Sequence, residues 1–342
     1  QHPEQALTLI TGEKSVFDRH DIARTLHRYI DDSETFQNAF VEVMNSPALV
    51  ELQGEQKDAA GKAELARYST REMVDLETGM AQSALRMGGV ETHSVADRYV
   101  ERAIAKQDQA IRTSVAHDLS GQVKSGELDS TEADQKIASA GLSDEQLNAV
   151  RRVTGPEQMS VVVGHAGAGK STMLTAAREA WEAQGYRVHG AALAGKAAEG
   201  LEESSGVESR TLASWEHGWH AGKGQLDGKD VLVIDEAGMV GSKQMSRFVD
   251  VAEKGGSKIV LVGDHEQLQA IGAGAPFRTI AERVGTAELH DIRRQRVDWQ
   301  QEASVDFASQ RTGEGLAAYH ERGAIHLGGS REDTRSEIVR DY

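Results

Sequence analysis

The chain has 342 residues, with 38 Lys and Arg against 54 Asp and Glu, 39% hydrophobic residues and no cysteine. That length suits two domains with a core each, and the lack of cysteine excludes a disulfide scaffold, a zinc–thiolate centre and a Cys nucleophile. A net charge of −16, divided as −9 over residues 1–140 and −7 beyond, excludes a broad basic face, so any nucleic acid must lie along a local groove. No apolar run approaches the roughly 18 residues of a membrane span. The opening QHPEQALTLI lacks the basic start and long apolar run of a signal peptide. A reducing cytoplasm is the expected compartment.

Up to Ala140 the pattern is helical. Residues 18–31 (DRHDIARTLHRYID) place Ile22, Leu26, Tyr29 and Ile30 on one stripe, and residues 35–44 continue it with Phe36, Phe40, Val41 and Met44. Residues 69–86 open on Ser69-Thr70-Arg71-Glu72, a spacing that predicts a capping box with Ser69 as the N-cap. The helical period returns over residues 99–114, and the polar VKSGELDSTEADQKIA (123–138) reads as a connection. These stripes read as core packing and carry no assigned chemistry. The expectation is a separate, mainly helical domain over residues 1–140.

From Leu142 onward the chain alternates strand, loop and helix. Short apolar runs lie at residues 159–163, 187–192, 231–234 and 259–262, with helical stretches such as 171–183 and 196–204 between them. Continuous apolar strands separated by helices predict an α/β domain, a parallel sheet covered on both faces. In such sheets ligands bind at the carboxyl ends of the strands.

Three loops fall at those ends. Gly164-His165-Ala166-Gly167-Ala168-Gly169-Lys170-Ser171 matches G-x-x-x-x-G-K-[ST] between a strand (SVVV) and a helix (TMLTAAREAWEA). Its glycines let backbone N–H groups converge on phosphate oxygens. Lys170 would meet the β- and γ-phosphates and Ser171 would ligate Mg²⁺. The strand VLVI then delivers Asp235 and Glu236, 65 and 66 residues after Lys170. Asp235 would hold the metal and Glu236 would polarise a water. A third strand, IVLV, leads into Gly263-Asp264-His265-Glu266-Gln267, where Gln267 could sense both the γ-phosphate and the water.

The motifs at residues 164–172, 235–239 (DEAGM) and 263–274 (GDHEQLQAIGAG) resemble motifs I, II and III of RecD-like superfamily 1 helicases. The resemblance implies a RecA-like P-loop ATPase domain. It implies ATP and Mg²⁺ as ligands, single-stranded DNA as partner and 5′→3′ movement. The nucleotide-binding set it implies is Gly164, Gly167, Gly169, Lys170, Ser171 and Thr172. LSDEQLNAV (142–150) resembles the glutamine motif, implying adenine recognition by Gln146. AGKAAEGL (194–201) resembles motif Ia, implying DNA contact at Lys196, with further contact expected around Thr211. LHDIRRQ (289–295) resembles motif IV, implying that Arg294, flanked by Arg293 and Arg296, faces the γ-phosphate.

Residues 16–40 and 68–87 are similar to the segment preceding the motor in TraA-type relaxase–helicases of conjugative plasmids. A bacterial cytoplasmic protein follows from that resemblance, with the rest of a longer chain and other conjugation proteins as partners. The family's nicking Tyr and three-His cluster have no counterpart here. His217 and His220 (HGWH) read as a solvated loop. Residues 141–342 are expected to form the first motor domain, ending near the start of a second, with little activity alone. Two other readings use the same P-loop: a small-molecule kinase, and a non-enzymatic platform that nucleotide merely stabilises.

Overall fold

A computed structural model describes residues 4–57, 63–126, 128–165, 167–264, 274–290 and 311–325, together with Trp299, Ala303, Asp306 and Arg335. The chain divides into two units. One comprises residues 1–164 and 170–289; the other comprises residues 165–169 and 290–342.

The first unit opens with three short helices, α1 (Gln5–Glu13), α2 (Arg19–His27) and α3 (Ser33–Met44). Asp18 caps α2 in a reciprocal box with Asp21, and Asp32 caps α3 through Thr35 N. Leu7, Ile10, Phe17, Ile22, Leu26 and Val43 form their small core. Two hairpin pairs follow: β1 (Leu49–Gln53) with the later β4 (Arg67–Thr70), and β2 (Gln56–Lys57) with β3 (Ala63–Glu64). Helix α4 (Arg71–Gly88) starts one residue later than expected. Ser69 is held in the ladder opposite Val50, so Thr70 is the N-cap and accepts from Met73 N at 3.2 Å.

Helix α5 (Asp97–Ser125) is 29 residues long and stops at Gly126, whose φ of 76° continues no helix. The stretch expected to be a connection is therefore the end of α5 and a further helix, α6 (Ser130–Ser139), capped by Asp129. Its polarity reflects exposure, since Ala133 is its one buried residue.

Next come α7 (Asp144–Val153), β5 (Met159–Gly164), α8 (Lys170–Gln184), β6 (Arg187–Ala192), α9 (Gly195–Ser205), β7 (Ser209–Thr211) and α10 (Leu212–His220). They are followed by β8 (Asp230–Ile234), a 3-10 turn (Ala237–Met239), α11 (Ser242–Gly255), β9 (Lys258–Gly263), α12 (Pro276–Val284) and β10 (Ala287–Leu289). The six strands β10-β5-β9-β8-β6-β7 form one parallel sheet. Strands β5, β8 and β9 are buried along their whole length, as sheets covered on both faces require.

Alternation then assigns the faces. Met159, Val161, Val163, Leu232, Ile234, Ile259 and Leu261 share a core with Phe248 of α11 and Phe277 of α12. Met80, Ala84 and Met87 of α4 complete that core. Helix α8 packs between α7, α9 and α5. Packing is therefore continuous across Ala140, where a domain boundary was expected: α4 and α5 form part of the same unit as the sheet. The first three helices have a core of their own. In the second unit, α13 (Thr312–Glu321) places Tyr319 edge-on to Trp299 at 4.9 Å.

Candidate active site at the carboxyl ends of the strands

Strand β5 ends at Gly164 and α8 begins at Lys170. A Cβ on Gly164 would lie 2.9 Å from that of Leu289 on the neighbouring β10, so the strand end admits only glycine. Within the intervening loop, Gly167 and Gly169 have φ of 86° and 77°, values that suit glycine. Lys170 Nζ donates to Gly164 O at 2.5 Å. Ser171 and Thr172 are half-buried in the first turn of α8.

Asp235 follows β8, its N–H donating to Ala191 O at 2.9 Å and its Oδ1 accepting from Glu236 N at 2.9 Å. Glu236 has φ 51° and ψ 34°, the one left-handed non-glycine among the described residues. Such a conformation costs on the order of 1–3 kcal/mol and persists only where the surroundings enforce it. The enforcement is visible: Met239 N bonds Glu236 O at 2.9 Å, and a Cβ on Gly238 would meet Asp264 O at 2.6 Å. The turn after β8 thus lies directly against the end of β9.

These groups form one electrostatic cluster. Burial pushes the Lys170 ammonium below its ordinary value, while Asp235, Asp264 and Glu236 hold it charged. Burial pushes Asp235 up, opposed by the Glu236 N–H and Lys170. Glu236 is raised by burial and then by Asp235, with Lys170 opposing. Among the described residues, three carboxylates thus act on this one ammonium. Among the described residues no group of three or more His, Asp or Glu forms a metal cage. Mg²⁺ does not need one, since it is held by one or two carboxylates plus phosphate oxygens. Ser171 and Asp235 fit that donor set, and Lys170 fits a phosphate.

Asp264, 9% exposed, had no role assigned in the sequence. Its signal is its acidity at a strand end, which gains meaning only once β9 is seen to pair with β5, beside Lys170. Gln146 is the third residue of α7, 2% exposed, and its Oε1 accepts from Ser143 N at 3.0 Å within a capping box. Lys196 is exposed in the first turn of α9, just beyond β6. Thr211 ends β7 and caps α10, accepting from Ser214 N at 3.1 Å. Both stand at the carboxyl edge shared with Lys170 and Asp235. Gln267, Arg293, Arg294 and Arg296 lie outside the described residues. His217 and His220 are in the last turn of α10, not in a loop, and His220 Nδ1 pairs with Glu216 O.

A parallel sheet with a strand–glycine loop–lysine helix and acidic residues at the adjacent strand ends defines a RecA-like P-loop fold. A family model described as an AAA domain matches residues 141–330, and the chain belongs to that family. Over its whole length it is similar to a probable conjugal transfer protein TraA of Sinorhizobium fredii, 43% identical over 343 residues. A conjugal transfer protein TraA of Agrobacterium fabrum is 45% identical over 95% of the chain. An ATP-dependent RecD2 DNA helicase of Deinococcus radiodurans is 32% identical over 47% of the chain and 23% of its own length. The chain spans 28% and 27% of the two TraA proteins. The expected likeness to TraA-type conjugation proteins therefore holds from end to end. No described helix is long and apolar enough to cross a membrane.

Proposed function

We propose that this chain is the ATP-hydrolysing motor segment of a DNA helicase or translocase acting in conjugative plasmid transfer, in the bacterial cytoplasm. It would couple Mg²⁺-ATP hydrolysis to 5′→3′ movement on single-stranded DNA. The observation that carries this reading is the clustering of Lys170 with Asp235, Glu236 and Asp264 at one sheet edge. The relatives named for conjugal transfer and for helicase activity support the process and the polymer. The rest of a longer chain and other conjugation proteins are the proposed partners.

In the proposed mechanism Lys170 binds the β- and γ-phosphates while the loop N–H groups around Gly167 and Gly169 orient them. Gln146 is assigned to the adenine by resemblance, and Thr172 to the phosphate end. Ser171 and Asp235 would hold Mg²⁺, which would supply charge neutralisation on the phosphates. Glu236, its carboxyl raised toward the working pH by burial and Asp235, accepts the proton of the attacking water. Gln267 and Arg294 are assigned to the γ-phosphate, and Lys196 and Thr211 to the DNA backbone.

Phosphate release with and without oligo-dT, at one salt concentration, tests this. The chain should bind Mg²⁺-nucleotide and turn it over slowly, with weak, salt-sensitive binding of DNA. In the motors it resembles, an arginine from a second domain opposes the γ-phosphate; where arginine fingers have been studied they contribute about 10³–10⁵ in rate, and the described residues contain a single parallel sheet. A longer chain covering its relatives' length should show strong stimulation by DNA. Turnover that requires a small acceptor would instead mark a kinase, and nucleotide binding without any turnover a platform.

A further inference from the structure

Helix α4 meets the exit of the 235–242 turn through a polar contact. Ser242, the first residue of α11 and fully buried, donates from Oγ to Glu77 Oε1 of α4 at 2.7 Å. Gly274, the first described residue after the Gly263-Asp264 strand end, closes on the same pair. A Cβ there would strike Ser242 Oγ and lie 2.5 Å from Glu77 Oε1, and its φ is 92°. Glu77, Ser242 and Gly274 thus join three parts of the chain: the helical segment, the exit of the 235–242 turn and the chain returning from β9.

That turn holds a strained residue between two anchors. Its upstream end is fixed in the sheet through Asp235 N and Ala191 O. In its middle, the Met239 N–Glu236 O and Val240 N–Ala237 O bonds make it a stiff unit. Its downstream end is Ser242. Glu236 sits in the left-handed region, a conformation that persists only where the surroundings enforce it. Glu77 is one of several contacts of α4. The helix is seated by Met73, Met80, Ala84 and Met87 and by the paired bonds of Arg86 to Glu253 at 2.7 and 3.0 Å. What the Glu77 bond adds is the position of Ser242.

We propose that Glu77 is a positioning residue for the hydrolytic carboxylate. By fixing Ser242 it holds the turn that carries Glu236, so the helical segment before Ala140 takes part in setting turnover. The inference rests on the assignment of Glu236 as base.

Slow hydrolysis of Mg²⁺-ATP by the chain and hydrogen exchange of peptides spanning residues 237–245 test it together. Glu77→Ala should lower kcat by roughly tenfold with KM little changed, since a small misplacement of a reacting group penalises the transition state alone. It should also speed exchange in those peptides. Glu77→Gln keeps a carbonyl that accepts from Ser242 Oγ, and should restore both. Ser242→Ala should match Glu77→Ala, and the double variant should be no worse than either. Parental kcat and exchange in Glu77→Ala would overturn the proposal, as would equal losses in the Ala and Gln variants. Glu236→Gln is the control for the underlying assignment. If it hydrolyses ATP at the parental rate, the base is misassigned, and the exchange data still decide whether Glu77 holds the turn.

Discussion

At the amino ends of β8 and β9, the buried charges Asp230 and Lys258 are each held by several partners. Asp230 receives two hydrogen bonds from Arg187 at 2.7 and 2.9 Å, one from Asp227 N at 2.8 Å, and pairs with His189. Lys258, fully buried, donates to Gly155 O at 2.9 Å and Glu157 O at 2.5 Å. At the carboxyl ends of the same strands, Asp235, Glu236 and Asp264 crowd around Lys170, and Glu236 is strained. The same strands thus begin in buried charges fixed by hydrogen bonds and end, among the described residues, in three carboxylates that act on one ammonium. Like charge and backbone strain lower stability, and in proteins they concentrate at functional sites.

The largest effects should come from the carboxyl end and should fall on chemistry. Lys170→Ala should reduce ATP turnover to background, because it removes the charge proposed to meet the β- and γ-phosphates. Glu236→Gln should bind Mg²⁺-nucleotide with nearly parental affinity yet hydrolyse it roughly 10²–10⁴-fold more slowly, the range for loss of a positioned base. Fluorescent-nucleotide titration and phosphate release separate the two variants. Neither should lower the melting temperature. A marked loss of stability from Glu236→Gln would break the contrast, since it would make that end a structural support.

At the amino end the effect should fall on stability and show a pH signature. Burial holds Lys258 down to about 7, with Glu157 opposing and Arg152 adding to the depression. His93 faces the same place, lowered by burial and by Lys258. The unfolded lysine titrates near 10.4, so between pH 7 and 10 the unfolded chain binds more protons than the folded one. Stability must then rise with pH across that window, by up to about 1.4 kcal/mol per unit. Below pH 7 the Lys258 contribution should be flat. Lys258→Met should abolish this rise in a urea-midpoint series from pH 7 to 9.5. An identical slope in the variant would show that Lys258 is not the group responsible.

The contrast between the two ends was only half legible in the sequence. Gly164 to Ser171 and Asp235-Glu236 stand out because each follows an apolar strand, and a phosphate site needs those residue types at that spacing. Two edge strands, β7 and β10, escaped notice because three residues carry no periodicity. The place of α4 was hidden for another reason: its methionine stripe announces a buried face without saying what covers it. Asp264 and the left-handed Glu236 depend on the approach of Gly238 to the end of β9, a tertiary contact with no local signature. Ser69 illustrates the reverse, a good capping residue overridden by its strand partner Val50. The amino-end charges were not singled out either, because Lys and Asp at strand starts look like solvated residues until the sheet buries them.

The smallest expected effect sharpens the contrast most directly. Arg187 is about half exposed, whereas the Asp230 side chain is 2% exposed. Burial favours neutral Asp230, yet the bonds from Arg187, Asp227 N and His189 outweigh it and hold the carboxyl below its ordinary value. A carboxyl lowered in this way stabilises the fold above its unfolded pKa near 3.9, and the contribution disappears as pH falls through the folded value. Arg187→Gln removes two charged donors but leaves Asp227 N and His189 in place. Solvent screens an arginine this exposed, so the cost at pH 7 should be about 1–2 kcal/mol, at the low end for charged hydrogen bonds. The gap between parent and variant should shrink as pH falls below the unfolded value near 3.9 and through the lowered folded value of Asp230. Nucleotide affinity and turnover should be unchanged, because Arg187 and Lys170 stand at opposite ends of the sheet. Urea midpoints at pH 7 and pH 3 with one nucleotide titration decide the matter. A change in turnover with no change in midpoint would mean that the charges at the amino end serve the chemistry.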